Sequence, residues 1–283
     1  KVGAIAWQEN RSLDLRNIAN RLMAIEQKIT IADLDFKLLE RFGTAYQQVR
    51  YPEKAIVIYQ QILSNSKQQK NLVAVEANLK TLGELYVAKF NYPSAAKTYQ
   101  ELLTLAESKS NSEQVNFYLN TLIDLYDRTS QIELAIATRE RLIKNYTAVK
   151  KLDRVAKLEL AIAHDYETSN QTTKAIKAYE QGFVLASATQ QLAIADDALD
   201  SLGKLYLKEG QAKKAIATFT QLIKIQSQSY NHYGLINTYD TLGKISLKSG
   251  QKQEARQYFQ QALDLAQTLD YKVEYFQQQI VKL

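Results

Sequence analysis

Residues 202–206 read Leu-Gly-Lys-Leu-Tyr, and the same arrangement of an apolar residue, a glycine and a tyrosine begins at residue 82 as Leu-Gly-Glu-Leu-Tyr. Related stretches begin at residues 42, 122, 162 and 242, so every copy follows the previous one at the same interval. A fixed period of this kind is typical of repeat architectures, in which each unit buries its apolar faces against the next unit. The sequence therefore predicts an array of repeated units.

A second set of positions recurs in the same register. An alanine stands at one fixed distance after each start, at positions 55, 95, 135, 175, 215 and 255. Four residues later a large ring stands in five of the six copies, and Arg139 is the exception. Because the apolar positions of each copy have helical spacing, they predict two helices per repeat. We expect Gly83 and Ala95 to let these helices approach closely, with the rings filling the space between one helix pair and the next.

The residues between the two helices of a repeat have the composition of a tight turn. Asn170, Gly210 and Gly250 occupy one equivalent position, where the end of a helix favours a left-handed backbone. Pro52 and Pro93 fall just after that position, and proline is well tolerated in the first turn of a helix. We therefore expect the second helix of each repeat to begin directly after this position.

The composition agrees with a helical chain. The hydrophobic fraction is 46%, yet the 283 residues include only 9 glycines and 2 prolines, too few for the frequent tight turns of an all-β protein. Basic and acidic residues, 36 and 30 in number, are mixed along the chain, whereas nucleic-acid binders concentrate their basic residues. No run of 18 apolar residues occurs, so we expect no membrane span. Together these features predict an all-α protein with no nucleic-acid partner.

The sequence contains no pattern that indicates catalysis or a metal site. It has no cysteine, no phosphate-binding glycine motif and no zinc-binding His-Glu-x-x-His. We expect His164 on a helix face and His232 in a connecting loop, too far apart to share a metal. Asp196, Asp197 and Asp200 form an acidic group, which we expect to be solvated because an open array offers no enclosure. The prediction is a protein that is not an enzyme and has no cofactor or metal.

The pattern Leu-Gly-x-x-Tyr, followed by the alanine and the ring, resembles the tetratricopeptide repeat in a variant with long repeats. The resemblance covers residues 32–270 in six copies. Residues 1–31 are expected to hold a degenerate repeat or cap, because Val2 and Gly3 stand one period before residues 42 and 43. Residues 271–283 are expected to form a capping helix or to open a further repeat. The fold that the resemblance implies is an all-α superhelical solenoid of antiparallel helix pairs.

The resemblance also implies a function, a non-catalytic scaffold or adaptor that binds a protein or peptide in a concave groove. An alternative is a ligand-sensing regulatory domain of a larger protein that binds a signalling peptide. In this family the first helices line the groove, and the exposed positions on them contact the partner. Transferred to this sequence, the candidate positions are Lys80, Glu84, Asn120, Asp124, Asp127, Arg128, Lys157, His164, Glu167, Asp197, Asp200, Lys204, Lys208, Asp240, Lys244 and Lys248.

The charges at these positions change along the chain. The middle of the groove is acidic, with Glu84, Asp124, Asp127 and Glu167. The C-terminal end is basic, with Lys204, Lys208, Lys244 and Lys248. We therefore expect a partner that places acidic groups at the C-terminal end of the groove and basic or polar groups toward its middle.

Two of these lysines have an alternative role within their own helices. Lys204 and Lys244 each follow an aspartate at i−4, a spacing that stabilises a helix by about 0.2–0.5 kcal/mol per pair. Lys208 and Lys248 have no acidic residue at i−4 and are the stronger candidates for contact with a partner. The asparagine that the family's clamp for chaperone tails requires two residues after the start is absent, so that ligand type is not implied.

Overall fold

The computed structural model describes residues 12–27 and 36–283, and within these residues it contains helices and turns but no strand. The helices are α1 Ser12–Glu26, α2 Phe36–Gln48, α3 Pro52–Gln68, α4 Leu72–Ala88, α5 Tyr92–Ser108, α6 Ser112–Arg128, α7 Ile132–Ala148, α8 Leu152–Thr168, α9 Thr172–Ala188, α10 Leu192–Lys208, α11 Ala212–Gln228, α12 His232–Lys248, α13 Lys252–Leu269 and α14 Val273–Val281. The predicted all-α class is confirmed. Val2 and Gly3 lie outside the described residues, and the division into a cap, six repeats and a final helix stays a prediction.

The helices follow half the period of the sequence pattern. From α3 to α12 every helix has 17 residues, and the helices begin at a constant interval, as at Pro52, Leu72, Tyr92 and Ser112. Three residues are therefore left for each turn, both inside a repeat and between repeats. A connection this short joins the two helices as an antiparallel hairpin.

The turns between α2 and α13 share one backbone geometry. Their second residue has a positive φ, which is +70° at Gly210, +76° at Gly250 and 56° at Asn170, so the predicted left-handed position is confirmed. After Gly210, the N–H of Gln211 donates to the carbonyl oxygen five residues earlier at 2.8 Å, the bond of a Schellman motif. Phe90 adopts the same left-handed backbone although it is not a glycine. Each turn therefore ends one helix and begins the next with its backbone groups bonded.

The contacts divide the chain into two compact units, residues 1–138 (unit 1) and residues 139–283 (unit 2). In unit 1, α2 to α6 pack in chain order, each helix on the next. In unit 2, α8 to α14 pack in the same way. This packing of consecutive hairpins confirms the fold class predicted from the sequence.

The glycine of the repeat makes room for the ring of the same repeat. A Cβ atom on Gly203 would lie 2.7 Å from Cζ of the buried Phe219, which is closer than two carbon atoms can pack. The same relation holds between Gly43 and Tyr59, Gly83 and Tyr99, and Gly243 and Phe259. The six repeat alanines are at most 1% exposed. The expectation that the rings lie between helix pairs is therefore incomplete, since they also fill the space over their own glycine.

The tyrosine that ends the repeat motif joins successive repeats through its hydroxyl group. Tyr206 on α10 donates to Glu180 of α9 at 2.9 Å, and burial together with this bond raises the pKa of Tyr206 to about 12. The same link, at the same separation in sequence, joins Gln60 to Tyr86, Gln100 to Tyr126 and Tyr166 to Glu140. The tyrosine therefore contributes a hydrogen bond as well as apolar area.

Arg139, the residue that replaces the ring in the third repeat, is buried in unit 2. Its guanidinium bonds the carboxylate of Asp165 on α8 at 2.5 Å, and the two side chains are 8% and 19% exposed. Asp165 is itself an exception, because leucine or isoleucine stands at its position in the second, third, fifth and sixth repeats. Two departures from the repeat pattern thus compensate each other as a partly buried ion pair.

Candidate functional site

In unit 1, the candidate positions lie on the first helices α4 and α6. Asp124 and Arg128 are exposed and bind each other at 2.7 Å, and the Arg128 guanidinium lies over the ring of Tyr92. The side chain of Asn120 donates to a carbonyl one turn earlier in α6, while Glu84 is exposed. These candidates therefore face solvent, but several are already bonded within their own helices.

Lys80 is held in place by Glu76 of the same helix. Its Nζ atom lies 2.7 Å from Oε1 of Glu76, and Lys109 binds the other carboxylate oxygen. The hydrogen bonds from Lys109 and Lys80 lower the pKa of Glu76 to about 2. Lys80 is therefore a less available contact for a partner than its sequence position suggests.

In unit 2, the first helix α8 carries His164 and Glu167. The buried hydroxyl of Tyr179 donates to Glu167 at 2.6 Å and lies 2.8 Å from Nδ1 of His164. Burial and the bond to Glu167 raise the pKa of Tyr179. His164 is on a helix face, as expected. The expectation for His232 is wrong, because the three-residue turn leaves His232 as the first residue of α12 rather than in a loop.

The basic positions of α10 and α12 divide into two kinds. Lys204 binds Asp200, and Lys244 binds Asp240 at 2.7 Å, so both acid-before-base pairs form within their helices. The hydroxyl of Tyr275 also donates to Asp240 at 2.9 Å. The pair with Asp240 raises the pKa of Lys244. These four charges therefore neutralise one another.

Lys208 and Lys248 are the second kind. They occupy equivalent places in the last turns of α10 and α12, and both side chains are exposed. Neither lysine forms an ion pair with another residue in the part of unit 2 that the structure describes. The positive charge at this edge of the two helices is therefore available to an acidic group.

A polar cavity of about 470 Å³ lies between the first helices α10 and α12, with α11 behind it. Its lining residues are Asp196, Asp197, Asp200, Lys204, Gln226, Asn231, Gly234, Asn237, Thr238 and Thr241. The sequence indicated three of its residues as partner-binding candidates, Asp197, Asp200 and Lys204, and the structure brings these three together. The remaining lining residues were missed as site residues, and the one signal for them was the run of aspartates on α10.

The expectation that this aspartate group is solvated is wrong for Asp196. Its side chain is only partly exposed, and burial raises its pKa although Gln226 and Asn231 donate hydrogen bonds to the carboxylate. The cavity exists because two neighbouring first helices and the helix between them enclose the carboxylate from three sides. A pattern along one helix does not reveal such an enclosure.

A larger cleft, of about 580 Å³, lies in unit 1 where α3, α4 and α5 meet. Its wall is apolar, with Leu72, Leu79 and Leu105. An ion pair at 2.6 Å between Lys67 and Glu101 joins α3 and α5 at this cleft. It contains none of the candidate positions from the sequence.

Two further features concern residues 12–27 and 36–283. No helix in these ranges is both long and apolar enough to cross a membrane. In the same residues, no three His, Asp or Glu side chains are grouped in a way that could hold a metal ion.

Known proteins give a sequence match for one part of the chain and structural matches for nearly all of it. Residues 195–268 match the family model of the tetratricopeptide repeat. No curated protein sequence matches the chain significantly. The C-terminal part of a tetratricopeptide repeat-containing protein from Cytophaga hutchinsonii aligns over 94% of this chain and 95% of its own, with 13% identity and a TM-score of 0.52.

Two other solved structures belong to larger proteins. A signal transduction ATPase with numerous domains and a tetratricopeptide repeat sensor, from Pyrococcus horikoshii, aligns over 98% of this chain but 43% of its own, with 15% identity and a TM-score of 0.53. Aspartyl phosphate phosphatase F from Bacillus subtilis aligns over 95% of this chain and 74% of its own, with 14% identity and a TM-score of 0.50. At these identities the likeness is one of fold. Residues 195–268 thus match the tetratricopeptide repeat in sequence, and the stacked helix pairs of the described residues have the helical-repeat fold of tetratricopeptide-repeat structures.

Proposed function

We propose that this protein is a scaffold or adaptor that binds a protein segment along the first helices of unit 2. Tetratricopeptide repeats typically mediate protein–protein interaction, and the fold is in general non-catalytic. This surface, the first-helix face, is formed by the exposed sides of α8, α10 and α12. The observation that carries the proposal is the matched pair of exposed lysines without ion pairs, Lys208 and Lys248.

The partner segment has acidic groups at the edge of the first-helix face that carries these lysines. Lys204 and Lys244 do not take part, since Asp200 and Asp240 already neutralise them. Exposed charges of this kind act mainly on the rate of encounter and on the choice of partner. Of the four lysines expected at the basic end, only Lys208 and Lys248 are therefore proposed as contacts for the partner.

The alternative from the sequence, a ligand-sensing regulatory domain, would use the same surface. One structural neighbour is a signalling ATPase whose repeats are described as a sensor, but its 15% identity carries only the fold. No contact in the described residues favours a sensor over a scaffold, so this alternative stays a prediction.

The test uses peptides selected for binding to the full chain from a random displayed library. We expect the selected peptides to be acidic. Changing both Lys208 and Lys248 to glutamate should slow association by about tenfold at low salt and flatten its salt dependence. Stopped-flow association rates measured across a range of salt concentrations provide the readout.

The matched control changes Lys213 and Lys224 to glutamate. Both lie exposed on the second helix α11, and the variant has the same net charge as the first. A third variant has glutamine at positions 208 and 248. It removes the two positive charges without placing acidic side chains at the C-terminal ends of two helices, where they are unfavourable. If the α11 variant slows association as much as the first, the effect is one of total charge and the proposed surface is wrong.

A further inference from the structure

The cavity between α10 and α12 is built around a network of amide side chains. Asn231 caps α12, because its Oδ1 atom accepts the N–H of Gly234 at 2.9 Å. Its Nδ2 atom donates to Oδ2 of Asp196 at 3.1 Å. Beside it, Thr238 donates to Oε1 of Gln226 at 2.9 Å, and both of these side chains are only 4% exposed. The polar wall of the cavity is therefore fixed by bonds between three helices.

Gly234 is required by this arrangement. A Cβ atom there would lie 2.5 Å from Nδ2 of Asn231 and 2.7 Å from Nε2 of Gln226. Any larger residue would displace these two amides, of which Asn231 donates to Asp196. The glycine thus has a packing role that is separate from the repeat glycine, which stands elsewhere in its helix.

The network leaves one acceptor unused. Oδ1 of Asp196 is buried and has no hydrogen-bond partner, although a buried carboxylate oxygen without a donor is unfavourable. Asp197 and Asp200 also line the cavity, and Lys204 supplies the one positive charge among the lining residues. The cavity therefore has an excess of negative charge, and one carboxylate in its wall has an oxygen without a donor.

We infer that this cavity binds a cationic nitrogen of the partner segment, the ammonium or guanidinium group of a lysine or arginine side chain. A charged N–H donor would bind the exposed carboxylate of Asp197 and balance the charge of Asp196 beside it. The inference rests on the proposed function, since the cavity opens on the first-helix face, and it deepens that function. The segment would then have a basic side chain at the cavity and acidic groups at Lys208 and Lys248, which fixes its direction.

The experiment uses capped pentapeptides in which the central residue is lysine, arginine, norleucine or citrulline and the others are glycine. Binding to the full-length protein is followed by NMR through the backbone N–H of Gly234 and the side-chain amide of Asn231. We expect the lysine and arginine peptides to shift both signals. Their dissociation constants should lie between about 0.1 mM and a few millimolar. The neutral norleucine and citrulline peptides should leave them unchanged.

Three variants locate the binding site. Asp196→Asn keeps the shape of the side chain and should weaken binding of the cationic peptides by about tenfold. Asp197→Asn removes an exposed carboxylate at the same cavity, so it tests the site even if the first variant disturbs the fold. Asp264→Asn, on the outer side of α13, removes one exposed carboxylate elsewhere and should leave affinity unchanged.

Each outcome decides the inference. Loss of binding in the Asp196 and Asp197 variants with no change in the Asp264 variant supports it. Equal losses in all three, equal binding of the neutral peptides, or no shift with any cationic peptide would overturn it. Because these short probes contain no acidic residue, their failure would leave the test at Lys208 and Lys248 unaffected. Failure of the lysine test would in turn leave the cavity result standing.

Discussion

Replacing Asp165 with leucine should lower the free energy of unfolding by about 3–5 kcal/mol, because the buried guanidinium of Arg139 would lose the carboxylate that neutralises it. Leucine is the residue that the repeat prefers at this position, as Leu205 on α10 illustrates. A change toward the repeat pattern is thus expected to be harmful. Chemical denaturation followed by circular dichroism measures the effect.

The double variant separates the charge from the packing. With Arg139→Met added to Asp165→Leu, both charges of the pair are removed, and the straight apolar chain of methionine can occupy much of the space of the arginine. Replacing both partners of a buried pair by apolar residues is often neutral or stabilising. We therefore expect the double variant to regain most of the lost stability. If it is as unstable as the single variant, the cost lies in the packing of leucine and the ion-pair explanation is wrong.

Replacing Gly203 with alanine should lower the free energy of unfolding by about 1–3 kcal/mol, because the added methyl group would collide with the ring of Phe219. The ring is 1% exposed, so the side chains packed around it oppose its displacement. Helix propensity alone predicts the opposite change, since alanine is a better helix former than glycine by about 1 kcal/mol. A loss of stability would therefore indicate the collision with the ring. Thermal and chemical unfolding of the variant measure the change.

Gly182, in the middle of α9, is the matched control. The nearest atom to a Cβ there would be the backbone nitrogen of Leu160 at 3.4 Å, an ordinary contact. Gly182→Ala should therefore leave stability unchanged or raise it by up to about 1 kcal/mol. Adding Phe219→Leu to Gly203→Ala should cost less than the sum of the single changes, because the smaller side chain makes room for the methyl. Two glycine variants with the same sign would contradict this account of the repeat glycine.

The regular part of the fold could be predicted because the two helices of each repeat pack in the same way and need the same residue types at their contacts. The glycine, the alanine and the ring recur wherever two helix axes meet, so six copies make the period visible in one sequence. The left-handed turn position could be predicted at Gly210 and Gly250 for the same reason. Phe90 stands at the equivalent position, but its residue type gives no such signal, and the Schellman bonds hold its left-handed backbone without a glycine.

The irregular features depend on contacts between helices that are distant in sequence. Arg139 was visible as an exception to the ring position and Asp165 as a departure from the apolar position of its motif copy, but the pattern did not show that the two side chains meet. The cavity at Asp196 depends on an asparagine cap two helices later, at Asn231. Side-chain bonds of this kind follow from the three-dimensional arrangement, and no periodicity in the sequence encodes them.

Binding of a protein segment on the first-helix face of unit 2 can be measured with fluorescent labels on single cysteines. The chain contains no cysteine, so one introduced thiol is the only site for an environment-sensitive dye. Asn237→Cys places the dye on α12 at the first-helix face, and Thr220→Cys places it on the exposed side of the second helix α11. On addition of a selected acidic peptide, we expect a saturating fluorescence change from position 237 and none from position 220. A change at position 220 without one at position 237 would show that the peptide does not bind on the first-helix face.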